Sequence, residues 1–87
     1  MWHSCSKALR SARIKASLTQ RHVADHLGYN TAQFVSNWER AISRPPDHAF
    51  HELANLYRVP LSRLVNAVVE DLDNETKRWR SSVMKRQ

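Results

Sequence analysis

The sequence predicts an all-α protein: five helices in one small bundle, continued by a C-terminal extension. Three observations carry that expectation. No stretch alternates strictly between apolar and polar residues, as a half-buried strand does. Only one glycine and three prolines interrupt the chain, and they fall between segments rather than within them. Apolar residues recur at three- and four-residue spacing in successive segments, the signature of helices with one buried face. With 87 residues, 41% of them hydrophobic, the chain can bury one modest core and not two.

The first helix is expected from Ser4 or Ser6 to Ala16, where Ala8, Leu9, Ala12 and Ile14 interleave with Lys7, Arg10, Arg13 and Lys15. Ser17-Leu18-Thr19 interrupts it, and Thr19 is suited to cap a second helix running through Val23, Ala24 and Leu27. That helix stops at Gly28, the residue type that enters the left-handed region without a Cβ clash. Asn30 or Thr31 can cap a third helix from about Ala32 to Arg40. Pro45-Pro46 closes the next connection, with Pro46 in the first turn of helix 4. Helix 4 places Ala49, Phe50, Leu53, Ala54 and Tyr57 on one face and ends at Val59-Pro60. Leu61, Leu64, Val65, Val68 and Leu72 mark a fifth helix, and residues 73–87 are polar, helix-compatible or a frayed arm.

Charge is distributed unevenly. Residues 7–44 carry seven basic and two acidic side chains, residues 45–75 two basic and six acidic, and residues 76–87 five basic and no acidic ones. A basic N-terminal half is the footprint expected of a polyanion contact, although an Arg-rich solvated surface has the same composition. On a helical projection at about 100° per residue, Val35, Trp38, Ile42, Thr31 and Phe34 share one side of helix 3, while Gln33, Ser36, Asn37 and Arg40 share the other. The first side is read as buried, with Phe34 in the core beside Trp38 or, alternatively, against a thymine methyl. The second suits base edges and phosphates, and a glutamine or asparagine amide there can read adenine bidentately.

The stretches LTQRHVADHLG and QFVSNWERA resemble helices 2 and 3 of the Cro, lambda-repressor and Xre type of helix-turn-helix regulator, and the resemblance covers Ser6 to Leu72. Thr19-Gln20, Val23-Ala24, Leu27-Gly28, Val35-Ser36 and Glu39-Arg40 agree in type and nearly in spacing. Two features depart from the pattern: the segment from Gly28 to Glu39 is one residue longer, and Ala41 stands where the family has glycine. The resemblance implies a lambda-repressor-like bundle, with a DNA-binding domain over residues 6–72 and an arm or helix extension over 73–87. It implies DNA contacts from Gln20, Arg21, Thr31, Gln33, Ser36, Asn37, Arg40, Ser43 and Arg44. Gln33 and Asn37 would read bases, while Gln20, Arg21, Arg40, Ser43 and Arg44 would grip phosphates. It also implies a structural pair between Arg13 and Glu39. The regulator would act as a homodimer on a pseudo-palindromic operator of double-stranded DNA, as a repressor, and Leu72, Trp79 and Val83 are the candidate dimer contacts.

Other chemistries lack their residues. His22 with His26 and His48 with His51 have helical spacing, but no acidic third ligand or Cys-x-x-Cys pair accompanies them, so no metal is expected, and His22 could instead approach a phosphate. No nucleophile with a paired base and no glycine-rich phosphate loop is present, so neither catalysis nor a cofactor is expected. The apolar runs are too short to span a bilayer and no secretory h-region precedes them, which predicts a cytoplasmic protein. A lone Cys5 makes no internal disulfide. The remaining alternative is an antitoxin of the same fold, binding a toxin through its C-terminal half.

Overall fold

The computed structural model describes residues 1–85; Arg86, counted above with the basic tail, lies outside them. The described chain is all-helical: α1 (His3–Lys15), α2 (Gln20–His26), α3 (Gln33–Glu39), α4 (Ala49–Tyr57) and α5 (Leu61–Met84). α1 is the central element and packs against α3, α4 and, most extensively, α5. Leu9, Val23, Val35, Leu53 and Leu64, one from each helix, are fully enclosed, so the core draws on all five. Each such side chain contributes about 1.5–3 kcal/mol relative to exposure.

The ends of the helices explain the shape. At the end of α2, Gly28 has φ +82°, its N–H bonds the carbonyl of Asp25, and the N–H of Tyr29 reaches back to Ala24 at 2.9 Å. This paired closure satisfies carbonyls the helix cannot use. The same closure ends α1 and α4 without glycine, and the longer of its two bonds ends α3, through Ser17, Arg58 and Ala41 at φ near +60°, with Leu18 bonding back to Arg13, Val59 to Ala54 and Ile42 to Asn37. A side chain in that region costs about 1–2 kcal/mol, so three of the four ends are held against backbone preference. Ala41 therefore adopts the backbone conformation that suits a glycine.

Several expectations about individual residues are corrected. α1 begins at His3, because its free N-terminal amides are capped from a distance. The two carboxylate oxygens of Asp71, in α5, accept from the N–H groups of Ser4 (2.8 Å) and Cys5 (2.9 Å). Pro46 precedes α4 instead of lying in its first turn, and its carbonyl accepts from Ala49. α3 has no side-chain cap at its N-cap residue Ala32, although Thr31 Oγ1 accepts from the N–H of Gln33. Ile14, Phe34 and Ile42, all expected on the buried side, are 54%, 51% and 57% exposed, and Thr31, projected onto the same side of helix 3, is exposed as well. For Ile42 the reason is local: α3 stops at Glu39 and the left-handed turn at Ala41 swings the chain off the helical projection.

α5 is the longest element, 24 residues or about 36 Å at 1.5 Å per residue. It continues without a break past Leu72, whose side chain is exposed with Val65, while Leu64, Ala67 and Asp71 are the buried members of its inner face. Residues 76–85 are exposed throughout, and the molecule measures 51 × 25 × 21 Å. The far half of α5 therefore projects beyond the bundle.

Candidate nucleic-acid interface

α2 and α3 are short, seven residues each, and isolated helices of that length do not persist in water. Their position comes from caps and packing. Thr19 Oγ1 accepts from the N–H of His22 at 3.0 Å, and the N–H of Thr19 donates to His22 Nδ1 at 3.3 Å. The two form a reciprocal cap with histidine in the place usual for glutamate or glutamine. His22, which the sequence left free to approach a phosphate, has this local role.

α3 is held from behind. Val35 and Trp38 are buried, and the carboxylate of Glu39, 3% exposed, takes a bidentate bond from Arg13 at 2.7 and 2.8 Å. Arg13 also donates to the carbonyl of Leu18 at 2.9 Å. Glu39 strengthens the hold of Arg13 on its proton, chiefly through their hydrogen bond, against a smaller opposing effect of burial. Tyr57 is pushed up above the usual tyrosine range by burial, with the nearby Glu39 carboxylate adding to the shift. Among the described residues every buried side-chain nitrogen or oxygen has a partner. A buried pair satisfied in this way holds geometry firmly, because removing either member strands the other.

The outward face of α3 carries the amides. Gln33 is exposed and Asn37 half-buried, and Gln33 Nε2 donates to Asn37 Oδ1 at 2.9 Å. Their mutual bond leaves the Gln33 oxygen as a free acceptor and the Asn37 nitrogen as a free donor, the two functions an adenine edge requires. Ser36 lies half-buried between them, and Thr31 is exposed at the entrance of the helix. Arg40 follows, exposed.

The remaining predicted contacts divide into free and engaged groups. Arg21 is exposed but tied to Asp25 at 3.2 Å and to the carbonyl of Asn30. Gln20 directs Nε2 to Glu39 Oε1 at 3.2 Å, so its amide joins the Arg13–Glu39 pair. Ser43 is half-buried. Arg44 bonds Asp47 at 2.8 Å and the carbonyl of Pro45, and its guanidinium lies 5.5 Å from the centre of the Trp2 ring, an arrangement that binds the chain's first residues to the α3–α4 connection. The three candidate dimer contacts, Leu72, Trp79 and Val83, are all exposed along α5, away from α2 and α3.

Sequence reasoning assigned nothing to Tyr29. Its ring centre lies 4.9 Å from that of exposed Phe34 and 5.9 Å edge-on from that of Trp38, so the loop between α2 and α3 is stiffened by an aromatic stack with Phe34 on its outer side. The spacing of Tyr29 and Phe34 across the long turn was the available signal. No group of three or more His, Cys, Asp or Glu side chains converges among the described residues, and no described helix is long and apolar enough to cross a membrane.

No curated protein and no solved structure matches the chain. A family model described as a helix-turn-helix domain matches residues 6–66, which spans α1 from Ser6 onward, α2 to α4 and the first quarter of α5. The match contains α2, α3, the Thr19 cap and the Arg13–Glu39 pair, but not Trp2 or the exposed Leu72, Trp79 and Val83, and it agrees with the Cro, lambda-repressor and Xre resemblance of the two central segments. On that family match, and on a fold with α2 and α3 joined by a glycine turn, the chain belongs to the helix-turn-helix domain family.

Proposed function

We propose that the protein is a sequence-specific regulator of transcription that binds double-stranded DNA, α3 entering the major groove and α2 crossing the backbone. The observation that carries this reading is the exposed Gln33–Asn37 amide pair on a helix anchored from behind by Val35, Trp38 and the Arg13–Glu39 bridge. An interior of that kind gives a recognition face a defined position, which base readout needs. Ser36 and Thr31 flank the amides as further base or sugar contacts. Arg40 and Ser43 serve the phosphates, and Arg21, Gln20 and Arg44 do so by exchanging their Asp25, Glu39 and Asp47 partners.

Two copies would act together on a pseudo-palindromic operator with half-sites about one helical turn apart, joined through Leu72, Trp79 and Val83. Occupying a promoter in that way represses it. The site of action is the cytoplasm, on the chromosome. Residues 6–72 form the DNA-binding unit and the rest of α5 the dimer arm.

Selection of bound fragments from random duplex DNA, followed by footprinting of the winner, tests the reading. A short symmetric motif protected by the protein supports it. Fragments that show no common sequence, or no retention at low salt, overturn it.

A further inference from the structure

One face of α5 has no partner in the bundle. Val65, Val69, Leu72, Thr76, Trp79 and Val83 follow one another at spacings of four, three, four, three and four residues, and at about 100° per residue all lie within about 40° of a common line. That is the a/d seam of a coiled coil, sustained over more than two heptads. Its five apolar members are each exposed, Trp79 the most at 65%. Thr76 does not interrupt the seam, because its hydroxyl already donates to the carbonyl of Leu72 at 2.9 Å.

The two ends of this seam differ in shape. Beside Val65 and Val69 the surface is hollow: Phe50 of α4 with Leu61 and Val68 of α5 line an apolar cavity of about 270 Å³, rimmed by Arg44, Asp47 and His51. At the other end stands Trp79, a large aromatic on the half of the helix that projects past the bundle. A knob and a hollow on one seam meet only when two copies of the helix run in opposite directions.

Charge selects the same direction. Beyond Glu75, α5 and its cap residue Lys85 carry Lys77, Arg78, Arg80 and Lys85 and no acidic residue, whereas residues 45–75 carry six acidic against two basic side chains. An antiparallel pairing lays the basic end of one copy on the acidic region of the other, and a parallel pairing sets the basic ends side by side.

From these observations we infer that the occupant of the groove is Trp79 of a second copy of this chain, brought there by antiparallel self-pairing of α5. The inference rests on the dimer in the functional reading above and adds its geometry. With the two-fold axis level with Asn74, every seam residue finds a counterpart: Val65 meets Val83 of the other copy, Val69 meets Trp79, and Leu72 meets Thr76. Near the axis Asp73 meets Glu75 of the other copy, and each of these acids is balanced within its own helix, Asp73 by Lys77 at 3.0 Å and Glu75 by Arg78 at 3.8 Å. Two aromatic rings seated in two grooves, each burying up to about 150–250 Å², supply a substantial share of the roughly 1,200 Å² at the lower limit of a stable interface.

The test uses the full chain carrying Val65→Cys together with Val83→Cys, treated with oxidised glutathione, and the linked peptides identified by mass spectrometry. The two positions are about 27 Å apart along one helix, too far for a bridge within a copy, and Cys5 is buried. The expected product is a covalent dimer joined 65 to 83. Links of 65 to 65 and 83 to 83 indicate parallel pairing and overturn the inference while leaving the dimer in place. In sedimentation equilibrium Trp79→Ala, at an exposed position that leaves the bundle folded, is expected to weaken self-association by roughly thirty-fold; an unchanged constant overturns the seating of Trp79. A chain that is monomeric at all concentrations overturns both the inference and the dimer, and the fragment selection above then judges DNA recognition by a single copy.

Discussion

α3 and the far half of α5 both turn side chains outward, and they differ in everything behind those side chains. The outer face of α3 is polar, and beneath it lie Val35, Trp38 and a bidentate ion pair enclosed in the bundle. Beyond Leu72, α5 exposes Trp79 and Val83 on one side, among charged residues, with no bundle beneath them. A polar face on a fixed support suits recognition that depends on donor and acceptor positions. An apolar face on a free-standing helix has its geometry set by whatever covers it. The comparison teaches that exposure alone does not mark function; what matters is whether the exposed group is held.

The support of α3 is where the largest effect is expected. Glu39→Ala leaves Arg13 partly enclosed without its carboxylate and also frees Gln20, and the loss is expected to be about 3–5 kcal/mol. For a domain of this size each kcal/mol corresponds to roughly 4–8 °C in Tm. A fall of only a degree or two in thermal unfolding would show that α3 is held by its apolar contacts alone, and the contrast with α5 would shrink accordingly.

Gln33→Ala and Asn37→Ala probe the outer face without its support. Each is expected to remove about 1–3 kcal/mol of discrimination between the preferred site and a single-base variant, with stability unchanged within about 0.5 kcal/mol. Competition binding against variant duplexes reads the first quantity and urea unfolding the second. Arg40→Ala is the companion measurement: it should weaken all duplexes alike and reduce the salt slope by about one. If the amide variants behaved like the arginine variant, α3 would hold phosphates and read no bases.

Ala41→Gly sharpens the comparison from the backbone. Ala41 sits at φ +61°, and relieving the Cβ conflict is expected to stabilise the fold by about 1 kcal/mol, seen as a higher urea midpoint with an unchanged slope. A lower midpoint would mean that the methyl group has contacts worth more than the strain.

The smallest effect, absent at neutral pH, concerns Cys5 at the junction of α1 and α5. Burial, with the Asp71 carboxylate adding and Arg44 opposing, raises its thiol to about 11. A group that holds its proton more tightly when folded supports the fold below its unfolded pKa and withdraws that support as pH rises through the folded value. Stability should therefore decline between about pH 9 and pH 11, and the decline should be shallower in Cys5→Ala. Equal slopes for the two chains would assign the alkaline loss to other groups, Tyr57 foremost.

How much of this was legible in the sequence follows from the range of each interaction. The buried face of α4 was read correctly at all five positions, because a regular helix with one wet side writes its own period into the chain. The Thr19 cap and the Gly28 stop were visible for the same reason, being interactions among neighbours. Arg13 and Glu39 became legible only through family resemblance, since nothing local links residues 26 positions apart. The left-handed ends at Ser17 and Arg58 gave no sign, as neither carries glycine; the one at Ala41 was hinted at only by the glycine that the resembling family has there, and the helical projection of Ile42 failed with it. On the outer side of α3, the exposure of Gln33 and Arg40 could be anticipated from the helical projection. The engagement of Gln20 with Glu39 and of Arg44 with Asp47 and Trp2 could not, because it depends on where three helices bring their ends.

Asp71 has a bearing on where the protein can be divided. Its carboxylate closes the first turn of α1 from across the bundle, yet it lies five residues past the last position of the family match. A fragment ending at Asn66 would open two amides of the central helix to water and uncover Cys5. One ending just after Leu72 would keep that closure and shed only the projecting rod. One acidic side chain thus ties the first turn of the central helix to a position that the shared motif does not reach.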